Sequence, residues 1–117
     1  MAKVLIVDDS RTSRKILRSY LEEGGHEIID EATNGEEGVN KYKELNPDIV
    51  TLDITMPIKD GLSALKEIKA YDSNAKVIMI TALGQQSKMV EAIKNGASEF
   101  VTKPFDKDNL LKIFSKI

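Results

Sequence analysis

Short apolar runs alternate with amphipathic segments along the whole chain, and this alternation limits the fold more than any other feature. Strands are predicted where the runs are short and rich in β-branched residues, over Lys3 to Asp8, Glu27 to Glu31, Ile49 to Asp53, Val77 to Ile80 and Glu99 to Thr102. Helical spacing and capping residues predict helices over Ser10 to Glu23, from Thr33 or Asn34 to about Leu45, from Asp60-Gly61 to about Tyr71, from about Gln86 to Asn95, and after Asp106.

Strict alternation of strand and helix favours a parallel sheet covered by helices on both faces, because each crossover must be right-handed and each face must be buried. The first, third and fourth strands are almost continuously apolar and are expected in the centre of the sheet. The second strand is more polar and the fifth is short, so both are expected at the edges. The sequence therefore predicts a flavodoxin-like (βα)5 doubly wound α/β fold with strand order 2-1-3-4-5.

Composition restricts the domain organisation and the possible chemistry. The chain has 117 residues, a net charge of −2 and no cysteine, so we expect residues 1–117 to form one domain without disulfides or thiolate metal sites. Its apolar runs are too short for a signal peptide or a membrane span, which predicts a cytoplasmic protein. The first helix is expected to bury one face, formed by Ile16, Leu17, Tyr20 and Leu21.

Carboxylates follow the two strands that flank the predicted topological switch point, where ligands bind in folds of this kind. Asp8 and Asp9 end the first strand, and Asp53 ends the third. Taken singly, Asp9 could cap a helix and a strand-end acid could be a loop residue. Three carboxylates in one crevice repel one another unless a cation lies among them, and oxygen ligands without His or Cys favour Mg²⁺.

A hydroxyl and an ammonium end the remaining strands at the same edge. Thr81 follows the fourth strand and Lys103 follows the fifth. Each alone could be an ordinary turn hydroxyl or an edge lysine. Together they are expected on the side of the crevice away from the acids, where they could bind a phosphoryl group carried by Asp53.

In combination, four motifs resemble those of the receiver domains of two-component response regulators: Asp8-Asp9, Asp53-x-x-Met56-Pro57-x-x-Asp60-Gly61, Thr81-Ala82 and Lys103-Pro104. The resemblance covers Lys3 to Ile117. It implies that Asp53 is the phosphoacceptor and that Asp8, Asp9, Asp53 and the backbone carbonyl of Thr55 hold Mg²⁺. It also implies that Thr81 and Lys103 bind the phosphoryl group, that Thr81 and Phe100 form the switch, and that the Lys103-Pro104 bond is cis.

Within this family the chain is most similar to single-domain chemotaxis regulators of the CheY type. The similarity lies in Asp53 to Pro57, Gly84-Gln85-Gln86 and Glu91 to Ala97. It implies a monomeric signalling protein with intrinsic Mg²⁺-dependent autophosphorylation and autodephosphorylation. Its donor would be a CheA-like histidine kinase, and a motor switch protein or an archaellum adaptor would bind the face formed by the fourth helix, fifth strand and fifth helix. A stand-alone phosphorelay receiver, or a receiver cut from a longer regulator, remains the alternative.

Other classes of protein fit the sequence less well. A dehalogenase-type phosphatase would carry a second acid where Thr55 stands, and a nucleotide- or flavin-binding enzyme would carry a glycine-rich loop after the first strand. Nucleic-acid binding would need a strongly basic surface, whereas the net charge is −2. The basic cluster of Arg11, Arg14, Lys15 and Arg18 is instead interpreted as a solvated face or a docking surface for a kinase. His26 is expected to be structural.

Overall fold

The computed structural model describes all residues from Met1 to Ile117, and strands alternate with helices throughout. The strands are β1 (Lys3–Val7), β2 (Glu27–Ala32), β3 (Ile49–Asp53), β4 (Val77–Thr81) and β5 (Glu99–Thr102). The helices are α1 (Arg11–Glu23), α2 (Gly35–Leu45), α3 (Gly61–Tyr71), α4 (Gln86–Lys94) and α5 (Lys107–Phe114). The predicted elements are thus all present, and the ends that were predicted agree with the structure to within two residues.

Capping side chains account for most of the helix starts. Ser10, Asn34, Asp60 and Asp106 each accept a hydrogen bond from the backbone N–H three residues later. Such bonds satisfy N–H groups that the first turn leaves free, and each contributes about 1 kcal/mol. The choice between Thr33 and Asn34 is thereby settled in favour of Asn34.

The five strands are parallel and lie in the order β2-β1-β3-β4-β5, as predicted. In register, Val7 lies beside Leu52 and Asp53 lies beside Ile80, so the carboxyl ends of β1, β3 and β4 reach the same edge of the sheet. From β1 the chain adds β2 on one side and β3 on the other, and this change of side opens a crevice between β1 and β3 at this edge.

Each face of the sheet has its own apolar core. One core includes Leu5, Leu52 and Met79 with α2 and α3, and the other includes Ile6, Ile78 and Leu110 with α1 and α5. Burial on both faces explains why the central strands are continuously apolar. None of the helices has the length and apolarity needed to cross a membrane.

One expectation about α1 was wrong, and a second holds only in part. Leu17 and Leu21 are buried, but Ile16 is exposed and lies toward the crevice near Leu83 and Phe105, because the helix buries only a narrow stripe. The basic cluster is also not a uniformly solvated face. Arg14 and Arg18 lie inward enough to form ion pairs with Glu31 of β2, at 2.9 and 2.7 Å.

Candidate functional site

Three carboxylates meet at the carboxyl edge of the sheet, as the strand order requires. Asp8 and Asp9 follow β1 and Asp53 ends β3, and one oxygen of each lies within 4.8 Å of the others. Asp8 and Asp53 are buried, whereas Asp9 is exposed. Buried carboxylates this close repel one another strongly, so the site has a marked excess of negative charge.

The side chain of Asp8 is only partly satisfied. Its Oδ1 accepts a 2.8 Å hydrogen bond from the backbone N–H of Ser10, which fixes the rotation of the carboxylate. Its Oδ2 is buried and receives no hydrogen bond. A buried carboxylate oxygen without a hydrogen bond is costly, and the charged group next to this oxygen is the Lys103 ammonium.

Lys103 supplies the positive charge of the site. Its Nζ lies 3.1 Å from Asp8 Oδ2 and 3.3 Å from Asp53 Oδ2. The ammonium is therefore placed between two acids and not on the far side of the crevice, where we had expected it. The reason is the reach of the four-carbon side chain, which extends from β5 across the end of β4 to the acids. The Lys103-Pro104 peptide bond is cis.

Burial and charge shift the protonation of both partners. Burial, followed by repulsion from Asp8, raises the pKa of Asp53 to about 6, although Lys103 and the backbone N–H of Thr55 act in the opposite direction. Burial acts to lower the pKa of the Lys103 ammonium, but attraction to Asp53 and Asp8 outweighs the effect of burial, so the pKa is raised overall. Lys103 is consequently a permanent cation beside a carboxylate that is unusually easy to protonate.

The donor set fits a hard divalent cation. All three clustered side chains offer oxygen, and the buried Asp8 Oδ2 accepts no hydrogen bond and has the Lys103 ammonium as its charged partner. Mg²⁺ prefers such oxygens and retains several of its waters, which the exposed position of Asp9 permits. The Asp8, Asp9 and Asp53 cluster could therefore bind a metal ion. The role of the Thr55 carbonyl as a further ligand stays a prediction.

Thr81 ends β4, and Phe100 lies on the neighbouring strand β5 beside Met79. Thr81 is buried, and its hydroxyl lies 3.5 Å from the Thr102 hydroxyl. Phe100 is partly buried and packs on the edge of the core beneath α4. A half-open pocket of about 190 Å³ is lined by both residues together with Met89 of α4.

Comparison with known proteins identifies the family. The sequence profile of the response regulator receiver domain matches residues 4–115. The chain belongs to this family. The receiver domain is 50% identical to the chemotaxis protein CheY of Thermotoga maritima, over 98% of this chain and 96% of that protein. It is 51% identical to CheY of Halobacterium salinarum, over 100% of this chain and 98% of that protein.

Solved structures support the same assignment. The receiver domain matches a chain in the crystal structure of the CheX-CheY-BeF3-Mg+2 complex from Borrelia burgdorferi with a TM-score of 0.92 and 46% identity. The match covers 97% of this chain and 87% of that one. The flavodoxin-like fold and the resemblance to CheY-type regulators, both predicted from the sequence, are thus confirmed.

Two side-chain contacts at the site, made by Gln85 and Arg14, were not predicted from the sequence. Gln85 lies over the crevice, where its side chain bonds both Thr55 and the backbone N–H of Ala82. Arg14 donates a 2.8 Å hydrogen bond to the carbonyl of Asp8 and thereby fixes the end of β1. No sequence signal identifies either contact, because each joins segments that are brought together only by the fold.

Proposed function

We propose that Asp53 accepts a phosphoryl group from a phosphohistidine of a CheA-like histidine kinase. A carboxylate oxygen of Asp53 attacks the phosphorus, the P–N bond breaks, and the imidazole of the donor leaves with the bonding electron pair. The single observation that carries the proposal is the position of Asp53, which ends a buried strand with its Oδ2 3.3 Å from Lys103 and beside two further acids. Such a site combines a nucleophile with the charges that phosphoryl transfer needs.

The other residues of the cluster stabilise the transferred group. Asp8, Asp9, Asp53 and the Thr55 carbonyl would hold Mg²⁺, which supplies positive charge to the phosphoryl oxygens when it is bound. Lys103 stands close enough to Asp53 to pair with a phosphoryl oxygen in place of the carboxylate. The Thr81 hydroxyl donates a hydrogen bond to another oxygen. The same groups would support phosphorylation by small phosphodonors and self-catalysed dephosphorylation.

Thr81 and Phe100 act as the switch. When Thr81 moves toward the phosphoryl group, the Phe100 ring enters the space that Thr81 leaves. The half-open pocket that Thr81 and Phe100 both line supports this movement, since its volume of about 190 Å³ leaves room for a side chain to move. The ring has two discrete positions, so a small shift at Asp53 changes the surface formed by α4, β5 and α5.

Residues 1–117 act as one receiver domain and signal in chemotaxis. The support for this is the similarity to CheY proteins over almost the whole chain. The output partner, a motor switch protein or an archaellum adaptor, binds the α4, β5 and α5 face of the monomer. This region carries a small excess of lysines over acids, which favours an acidic partner segment.

The proposal is tested by phosphorylation with a purified CheA-type kinase carrying labelled phosphate. Wild type is expected to take up hydroxylamine-labile label only with Mg²⁺, and Asp53→Asn is expected to take up none. Glu44→Gln, which changes an exposed acid far from the crevice, is the matched control and should label normally. Normal hydroxylamine-labile labelling of Asp53→Asn would overturn the assignment of the phosphoacceptor.

A further inference from the structure

The side chain of Gln85 links the two loops that enclose the candidate site. Its Nε2 donates a 2.8 Å hydrogen bond to the hydroxyl of Thr55, two residues after Asp53. Its Oε1 accepts a 2.7 Å hydrogen bond from the backbone N–H of Ala82, the residue after Thr81. Both distances are close to the optimum for their type, so each bond is well formed.

The two bonds restrain the end of β4. Ala82 N–H belongs to the peptide unit that joins Thr81 to Ala82, so a displacement of Thr81 displaces this donor as well. Gln85 cannot follow freely, because its side-chain nitrogen is bound to Thr55 in the loop after β3 and because its backbone is the N-cap of α4. Movement of Thr81 therefore changes the geometry of the bond between Ala82 and Gln85, and Gln85 cannot adjust without disturbing its bond to Thr55.

We propose that Gln85 is a positioning residue that holds the Thr81-Ala82 peptide in its unphosphorylated position and so opposes binding of the phosphoryl group. This inference rests on the proposed function, in which Thr81 bonds the phosphoryl group. A net hydrogen bond in a partly exposed site changes an equilibrium by a factor of a few. Loss of both bonds is expected to increase the affinity for a phosphoryl mimic by about three- to tenfold.

The test measures beryllofluoride binding to the full chain at saturating Mg²⁺ and, separately, hydrogen exchange of the Ala82 amide without metal. Gln85→Ala removes both bonds, Thr55→Val removes one, and Thr55→Ser retains the hydroxyl. Gln86→Ala is the matched control, because Gln86 is an exposed glutamine that directly follows Gln85 in the chain.

We expect the Ala82 amide to exchange faster in Gln85→Ala than in wild type. We also expect this variant to bind beryllofluoride about three- to tenfold more tightly, which is the effect of losing two hydrogen bonds. Thr55→Val should show a smaller gain in affinity, and the double variant Gln85→Ala/Thr55→Val should have the same affinity as Gln85→Ala. The affinities of Thr55→Ser and Gln86→Ala should match that of wild type. Non-additivity is the sign that both residues act through one link.

Several results would overturn the inference. If Gln85→Ala binds beryllofluoride no more tightly than Gln86→Ala, or if Thr55→Ser changes the affinity as much as Thr55→Val, Gln85 does not oppose binding through this link. If wild type itself does not bind beryllofluoride with Mg²⁺, the proposed function fails and the positioning role fails with it. Unchanged exchange at Ala82 in Gln85→Ala would refute the hydrogen bond directly.

Discussion

Replacing Asp53 by Asn is expected to stabilise the metal-free protein, although it should abolish phosphorylation. The Asp53 side chain is 12% exposed and shares its site with Asp8 and Asp9, while Lys103 is the one cation among them. The ionised carboxylate of Asp53 therefore destabilises the folded state relative to an uncharged side chain of the same size. Asn has nearly the same shape and removes the repulsion.

The magnitude follows from the shift in acidity. The pKa of Asp53 rises from 3.8 to about 6, and each unit corresponds to about 1.4 kcal/mol, so the upper bound is about 3 kcal/mol. Water still reaches part of the site, and Asn loses the ionic bond to Lys103. We therefore expect a net stabilisation of about 1 to 2 kcal/mol.

The sign of the pH dependence follows from the same shift. Because the folded-state pKa of Asp53 lies above the unfolded value of 3.8, the penalty for ionisation is complete above about pH 6. It decreases as the pH falls through the window from about 6 to 3.8 and vanishes below that window. The advantage of Asp53→Asn should decrease over the same range.

Urea unfolding followed by circular dichroism measures this difference. Wild type, Asp53→Asn and the control Glu44→Gln would be compared at about pH 7.5 and about pH 4.5, with a chelator present. Addition of Mg²⁺ at about pH 7.5 should stabilise wild type more than the variant, because a ligand that binds only the folded state adds to its stability. The reasoning is refuted if Asp53→Asn is no more stable than wild type at about pH 7.5, or if its advantage does not depend on pH.

Three further substitutions test other parts of the structure, each by urea unfolding in the absence of metal. Lys103→Met should destabilise the protein by about 2 kcal/mol, since it leaves Asp8 and Asp53 without a counter-charge, and Mg²⁺ should restore part of the loss. Thr51→Val should stabilise by about 1 kcal/mol, because the buried Thr51 hydroxyl has no hydrogen-bond partner. Ile58→Gly should stabilise by about 0.5 to 1 kcal/mol, because a β-branched residue is strained at the φ of 69° that Ile58 adopts, although Gly costs entropy. A loss of stability in either of the last two, or no change in the first, would contradict the respective argument.

The fold could be predicted because its determinants are local or follow from burial. Strands buried on both faces must be apolar, and this requirement alone separates the three central strands from β2 and β5. Helix starts are encoded by single capping residues such as Asn34 and Asp60. The exposed Ile16 was not predictable in this way, because helical spacing also fits a wider apolar face than the one that α1 buries.

The sequence predicted which residues of the site lie at the carboxyl edge of the sheet, but not how their side chains contact one another. Parallel strands bring their carboxyl ends together, so the convergence of Asp8, Asp9 and Asp53 follows from the strand order. The orientation of long side chains does not follow from it. Lys103 reaches across to the acids, and the link through Gln85 depends on how two loops meet. Ile58 shows the same limit, since no sequence signal places a β-branched residue at positive φ.

The charges of the site imply a need for a cation in the proposed reaction. Three carboxylates face one ammonium before transfer, so the cluster is already too negative. Transfer replaces the Asp53 carboxylate by a phosphoryl group of still greater negative charge, and Lys103 can pair with that group only by weakening its contact with Asp8. A buried Asp8 oxygen that already lacks a hydrogen bond would then lose its remaining counter-charge. A divalent cation held by Asp8 and Asp9 would remove both difficulties, because it would supply the positive charge that Lys103 alone cannot provide to Asp8 and to the phosphoryl group.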